Sequence, residues 1–281
     1  MTTPAGRLAF VTGEVAKLPA FVRRDWLVTL SYRAAFAGDL LSLLTQIVLF
    51  YFVGRMVDPQ ALPAYGGTTA TYLEFVSIGI AVGVFVQVGL GRISAVVRNE
   101  QLIGTLESLL ATPTATSTIQ IGSVAFDLVY VPLRTAVFLA TLTAAFGLDL
   151  NADGIVPALL VLLFFIPFVW GLGLVGAAAI LTFRRGAGVA GVLGTLLVLG
   201  SGAYFPVDLL PSWTAWLDDS NPVAITIEGM RESLLGGGEW PSLGRDLVSI
   251  SIASALSVLA GALLFRWALA RERERGSLGM Y

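Results

Sequence analysis

The sequence predicts an all-α membrane protein, one polytopic domain of six transmembrane helices. Three observations carry that prediction. Of 281 residues, 56% are hydrophobic and 13% charged, with a mean hydropathy of +0.82, more apolar surface than a soluble domain of this size can hide. The apolar residues gather in runs near the roughly 20 residues a helix needs to cross a hydrocarbon core about 30 Å thick. The basic residues sort onto alternate connections, as a chain threaded through a membrane requires.

Absences narrow the chemistry. Cysteine and histidine are both missing, which removes disulfides, thiolate nucleophiles, imidazole bases and the usual zinc or haem ligands, and with them Ser–His and Cys–His catalysis. No catalytic residue, metal site or nucleic-acid surface is expected. Lys17, the single lysine, lies between Ala16 and Leu18, so the chain has no Gly-Lys-Ser/Thr phosphate loop. ATP, if used, is bound by another chain. Leu8 to Thr12 is too short for the core of a cleavable signal and is ended by Gly13 and Glu14.

In chain order, residues 1–33 form an N-terminal segment whose Phe21, Val22, Trp26 and Leu30 make an apolar stripe, with Arg23 and Arg24 facing elsewhere. This reads as an amphipathic helix lying among lipid headgroups, with Pro19 in its first turn. The spans then occupy 34–265. The first runs from Ala34 to Gly54 and carries Asp39; the second runs from Thr71 to Gly91 and carries Glu74. The third, Ile119 to Phe146, contains Pro132 and two charges, Asp127 and Arg134, two turns apart on one face. Charges at that depth cost about 2.5–3.5 kcal/mol and must face protein or water. The fourth span runs from Ile155 to Thr182. Its Gly171, Gly173 and Gly176 satisfy the spacing of a dinucleotide-binding loop, but without a preceding strand they signal close helix packing. The fifth runs from Ala187 to Phe205, ended by Pro206, and the sixth from Leu247 to Phe265 after a Gly236–Gly238 hinge. Residues 266–281 are a basic tail. The rings of Phe50, Tyr51, Phe52, Tyr72, Phe75 and Phe85 either line a path or serve as packing and lipid-facing groups.

This threading places thirteen basic residues on one side, among them Arg7, Lys17, Arg92, Arg98, Arg184, Arg185 and Arg266. Three, Arg55, Arg231 and Arg245, lie on the other. By the positive-inside rule both termini are cytoplasmic, in a multi-pass protein of the plasma membrane.

The segment from Arg98 to Pro113 stands out between two apolar runs. Leu102, Ile103, Leu106, Leu109 and Leu110 fall on one helical side, Glu100, Gly104 and Glu107 on the other, and Thr112–Pro113 stops the helix. The string of Glu100, Gly104, Thr105, Leu106, Glu107, Leu109, Leu110, Thr112 and Pro113 resembles the cytoplasmic loop between the second and third spans of type-2 ABC transporter permeases, the membrane subunits of ATP-driven exporters. A second block is similar to that family's external segment: Pro206, Pro211 and Trp213, then Asn221–Pro222 and Glu228 with Arg231. The resemblance implies a cytoplasmic coupling helix within a loop at 92–117, short re-entrant external helices at 206–246, and an interfacial helix at the N-terminus. It also implies an ABC ATPase subunit as partner, ATP and Mg held on that subunit, and a second permease copy in a homodimer. Glu100, Gly104, Thr105, Glu107, Thr112 and Pro113 would meet the ATPase, and the cargo would be drug-, lipid- or polysaccharide-like. The rival reading is an ion-coupled transporter using Asp39, Glu74 and Asp127.

Overall fold

A computed structural model of the chain describes residues 16, 18–31, 33–58, 62–103, 125–183, 186–209, 211, 214, 216, 220–236 and 240–274. The first helix, α1, is Leu18–Ser31, followed by α2 at Arg33–Gly54. The connection then forms a hairpin of β1 (Ala64–Tyr65) and β2 (Thr68–Thr69), paired Ala64 with Thr69 and Tyr65 with Thr68. Gly66 and Gly67 make its two-residue turn with φ of 58° and 83°, a backbone that needs glycine at both positions. The loop expected here is therefore corrected to a hairpin, signalled by its Gly-Gly pair.

Helix α3 spans Tyr72–Ile103, 32 residues. Thr71 and Glu74 form a reciprocal cap at its start: Glu74 N–H donates to Thr71 Oγ1 at 3.3 Å, and Thr71 N–H to Glu74 Oε2 at 2.8 Å. The expected end at Gly91 is corrected, because the helix runs on through 92–103, where a loop was expected. A lone glycine costs a helix only about 1 kcal/mol, and no proline follows until Pro113. At about 1.5 Å per residue, α3 is a rod of about 48 Å, longer than the membrane core.

Helix α4 is Asp127–Phe146 and continues through Pro132. It ends on Gly147, whose φ of 69° lets its N–H return to the Thr143 carbonyl at 3.0 Å. After a turn at Ala152–Gly154, α5 runs from Ile155 to Phe183. Helix α6 is only Gly186–Leu199. The fifth span was expected to reach Phe205, but the helix stops six residues earlier. Gly202 takes a φ of 69°, and Ser201 Oγ caps the Val198 carbonyl at 2.7 Å.

Helix α7 is Pro222–Gly236. Asn221 caps it, Oδ1 accepting from Val223 N–H at 3.0 Å, and Pro222 occupies the first turn, where its missing N–H costs nothing. Helix α8, Trp240–Glu274, begins seven residues before the expected sixth span and carries its helix into the basic tail.

Among the described residues the architecture is thus all-helical apart from one short hairpin. Among the described residues, four helices are long and apolar enough to cross a membrane: Tyr72–Gly91, Asp127–Phe146, Ala152–Thr182 and Leu243–Arg271. Of the other two expected spans, α2 is apolar only over Leu44–Gly54, and α6 has 14 residues.

The core is centred on α5, whose Val161, Phe165 and Val169 are fully buried against Ile78, Val86 and Ile227. Its other side lies on α8 at a close approach. A Cβ at Gly171 would collide with Ser257, and one at Gly261 with the Gly171 carbonyl. Ser254 and Ser257 reach back to the Phe164 and Phe168 carbonyls at 2.8 and 2.9 Å. Gly171 therefore sits within a helix as a packing residue, as small residues do between membrane helices. Gly171→Leu is expected to destabilise the protein by about 1–3 kcal/mol through overpacking, read as a lowered melting temperature in detergent. Gly191→Ala, at a position with open space around it, should leave the melting temperature unchanged or slightly raised.

Candidate functional site

The most polar part of the buried protein lies where the hairpin, α3, α7 and the break after α6 converge. Arg231, on α7, is 2% exposed. Its Nε donates to the Phe75 carbonyl at 3.1 Å; its Nη2 donates to Phe75 at 3.0 Å, Gly202 at 2.9 Å and Ala203 at 3.4 Å; and its Nη1 reaches Glu228 Oε2 at 3.5 Å. The guanidinium lies over the Phe75 ring, 3.4 Å from the centroid, so its face as well as its edge is occupied. Tyr65 of the hairpin donates its hydroxyl to the same Glu228 oxygen at 3.1 Å. Burial first, and the Glu228 carboxylate second, push the Tyr65 phenol above its ordinary range and keep it a neutral donor.

From this clamp a seam runs down α3 along one face. Tyr72 Oη donates to the Tyr204 carbonyl at 2.9 Å, and Phe50 of α2 stacks on the Tyr204 ring at 5.5 Å. Two turns on, a Cβ at Gly79 would collide with the Ala203 carbonyl, so α3 and the break after α6 touch backbone to backbone. Next, Gly83 faces Val198, Gln87 Nε2 donates to Thr195 Oγ1 at 3.1 Å, and Leu90 fills the space beside Gly194. Gln87 and Thr195 are exposed, a polar pair on the outer surface of two apolar helices.

The chain matches the family model described as ABC-2 type transporter over residues 17–235. It belongs to that family. No curated protein matches the chain. The ABC-2 match runs from the residue before α1 to the penultimate residue of α7, and so contains both clamp and seam. Members of this membrane family are permease subunits and normally work with an ATPase subunit.

The residues of the second sequence block, expected on the external side, acquire individual roles. Pro206 offers its carbonyl to Leu209 N–H at 3.1 Å; Pro211 accepts from Thr214 N–H at 2.8 Å. The Asn221 side chain ties α7 to α6, donating Nδ2–H to the Leu197 carbonyl at 2.8 Å. Glu228 and Arg231 form the clamp, and Trp213 lies outside the described residues. On α1, Arg23 and Arg24 are exposed, while Trp26 meets Phe126 edge-on at 6.0 Å; Phe21 lies on the same helix. Of the coupling residues, Glu100 falls on the last turn of α3, and Gly104, Thr105, Glu107, Thr112 and Pro113 lie outside the described residues.

The charges expected within the membrane divide. Asp127 and Arg134 line one narrow cavity of about 30 Å³ between α3 and α4, together with Tyr130, Phe85 and Gly89, room for about two waters. Glu74 is elsewhere. One oxygen caps α3 and the other accepts Asp149 N–H at 3.1 Å, just beyond the far end of α4 from Asp127. Asp39 is on the second turn of α2. No group of acids that could hold a metal ion occurs among the described residues.

Sequence reasoning missed Tyr65, Gly79, Gly83, Gln87 and Thr195, and read Phe75 only as a ring. Two signals were present, the Thr71-x-x-Glu74 cap and the Gly79-x-x-x-Gly83 spacing. Of the aromatics, Phe50 and Tyr72 pack on Tyr204, Phe75 and Phe85 are buried, and Phe52 is exposed.

Replacing Arg231 with methionine strands the Gly202 and Ala203 carbonyls without a donor. At about 1–3 kcal/mol for each buried unsatisfied group, we expect a loss of about 2–5 kcal/mol in heat- or SDS-induced unfolding. Glu228→Gln should cost about 1 kcal/mol or less, because that carboxylate is half exposed and its ion pair is long.

Proposed function

We propose that this chain is the membrane half of an ATP-driven exporter. Two copies form a homodimer in the plasma membrane, each with six spans, in which α2 and α6 supply the two that fall short in apolar length. Both termini face the cytoplasm. A separate ABC ATPase holds ATP and Mg, and this chain contributes no catalytic group to hydrolysis. The cargo is an amphipathic molecule of the drug, lipid or polysaccharide-linked kind.

The observation that carries this reading is the continuity of α3. One uninterrupted helix runs from Phe75, under the Arg231 clamp, to Glu100, where the ATPase would dock. A push on the coupling segment at 100–113 tilts a rod whose opposite end is fastened to the break after α6 by Arg231, Tyr72 and Gly79. Such a rod delivers inner-face work to the outer side without an intermediate joint. Gln87 and Thr195 give the seam a polar surface on which cargo can travel. Helix α1, touching the start of α4 through Trp26 and Phe126, is a second lever on the same face. The ion-coupled reading has less support, since both oxygens of Glu74 already accept backbone N–H groups and the carboxylate lies a helix length from Asp127.

The test is the double substitution Glu100→Lys and Glu107→Lys, purified together with a partner ABC ATPase. Membrane insertion and melting temperature should match the unsubstituted protein, while ATP-dependent cargo movement falls at least about tenfold. Unchanged transport, or transport that survives without ATP and collapses with an ion gradient, overturns the proposal.

A further inference from the structure

Helix α4 buries a single stripe, Asp127, Val131, Thr135, Phe138, Leu139 and Leu142. On its flank toward α5 lies an open groove of about 410 Å³. One wall is a ladder of alanines on α4, Ala136, Ala140 and Ala144; Leu159 of α5 faces them, and Met230 and Leu234 of α7 form the floor. The alanines are exposed and the floor is buried, so the groove opens sideways, at the depth of the bilayer, between two helices apolar enough to span it. Small walls leave a slot that larger side chains would have filled. Its lining offers an alkyl chain contact and offers a polar headgroup almost nothing, the hydroxyls of Thr135 and Thr143 being the only polar side chains present.

The end of the groove has a different character. Leu150 and Ala152 close it, and in sequence they are flanked by Asp149 and Asp153, both exposed, with no basic residue between Gly147 and Ile155. The turn is held in place. Asn151 N–H donates to the Leu234 carbonyl at 2.7 Å, and Asn151 Oδ1 accepts from Asp153 N–H at 2.9 Å. Glu74, a third acid, takes the Asp149 N–H. Arg55, the basic residue of the α2–α3 connection, is occupied on Tyr51, donating to its hydroxyl at 3.0 Å and lying 5.1 Å from its ring centroid. An apolar slot at bilayer depth, ending at a turn of one sign at the helix ends, complements a molecule with an alkyl chain and a cationic head. An anionic head of the same chain length would meet like charge there.

We propose that the α4–α5 groove binds a single-chain amphiphile bearing a protonated amine, entering from the bilayer, with its chain against Ala136–Ala144 and its head at Asp149 and Asp153. The proposal rests on α4 and α5 lying in the membrane. It does not rest on ATP-driven export, so either can fail alone.

The full chain in phosphatidylcholine nanodiscs would be exposed to two photoreactive probes of identical chain, an alkylamine and an alkyl sulfonate each carrying a diazirine midway. Crosslinked residues are read by mass spectrometry. The amine should label residues 136–159 at least about fivefold more than the sulfonate, from charge attraction to two exposed carboxylates. Asp149→Asn with Asp153→Asn, both on the surface, should bring amine labelling down to the sulfonate level at an unchanged melting temperature, and Ala140→Trp should abolish labelling by filling the slot. Equal labelling by the two probes in the unsubstituted protein, amine labelling that survives the double Asn substitution, or capture of a second copy by a photoreactive residue at position 140 overturns the proposal.

Discussion

A guanidinium in an almost dry site must find a partner for every N–H, because leaving water costs far more than any single contact returns. Arg231 meets that demand with main-chain carbonyls of Phe75, Gly202 and Ala203, and only weakly with the Glu228 carboxylate. The choice of acceptors matters. Carbonyls cannot swing away as a side chain can, so the arginine fixes α3 and the break after α6 relative to its own helix, α7. Much of this end of the molecule follows from it: where α6 must stop, how closely α3 can approach, and why the hairpin lays Tyr65 over the same site.

The seam below the clamp depends on small residues instead. Gly79 and Gly83 bring α3 against the break and against α6 closely enough for Gln87 to reach Thr195. Between membrane helices there is little hydrophobic drive, and close van der Waals contact with an occasional hydrogen bond provides the adhesion. Clamp and seam make α3 and α6 one body. The same logic holds α5 to α8 through Gly171, Gly261 and two serines. The protein is thus built from pairs of tightly joined helices, with α4 attached more loosely at the side.

Much of this was legible in the sequence, and the illegible parts have a common cause. Hydropathy alone locates α3, α4, α5 and α8, because lipid imposes their composition directly. Helix ends were misplaced where glycine was ambiguous: Gly91 is followed by ordinary helix-forming residues and does not interrupt α3, whereas Gly202 takes a left-handed φ and breaks the chain before Pro206 can. Composition gives no way to tell them apart. Arg231 and Glu228 were visible as a spaced pair, yet the Phe75 carbonyl that Arg231 uses is 156 residues away in sequence, and a backbone acceptor leaves no trace in residue type. Glu74 shows the opposite failure. Its capping role was written in Thr71-x-x-Glu74, but a carboxylate near a span invites an ionic interpretation that local hydrogen bonding makes unnecessary.

The Glu74 contact with Asp149 has a mechanical corollary. It fastens the segment just past the end of α4 to the start of α3, while the opposite end of α4, at Phe126, rests against Trp26 of α1. If α1 moves as the proposed lever, a bar pinned at one tip and leaning on it at the other pivots at the pin, with its largest excursion at the far tip. For α4 that places the greatest travel beside the Asp127–Arg134 cavity and the least beside the acidic turn.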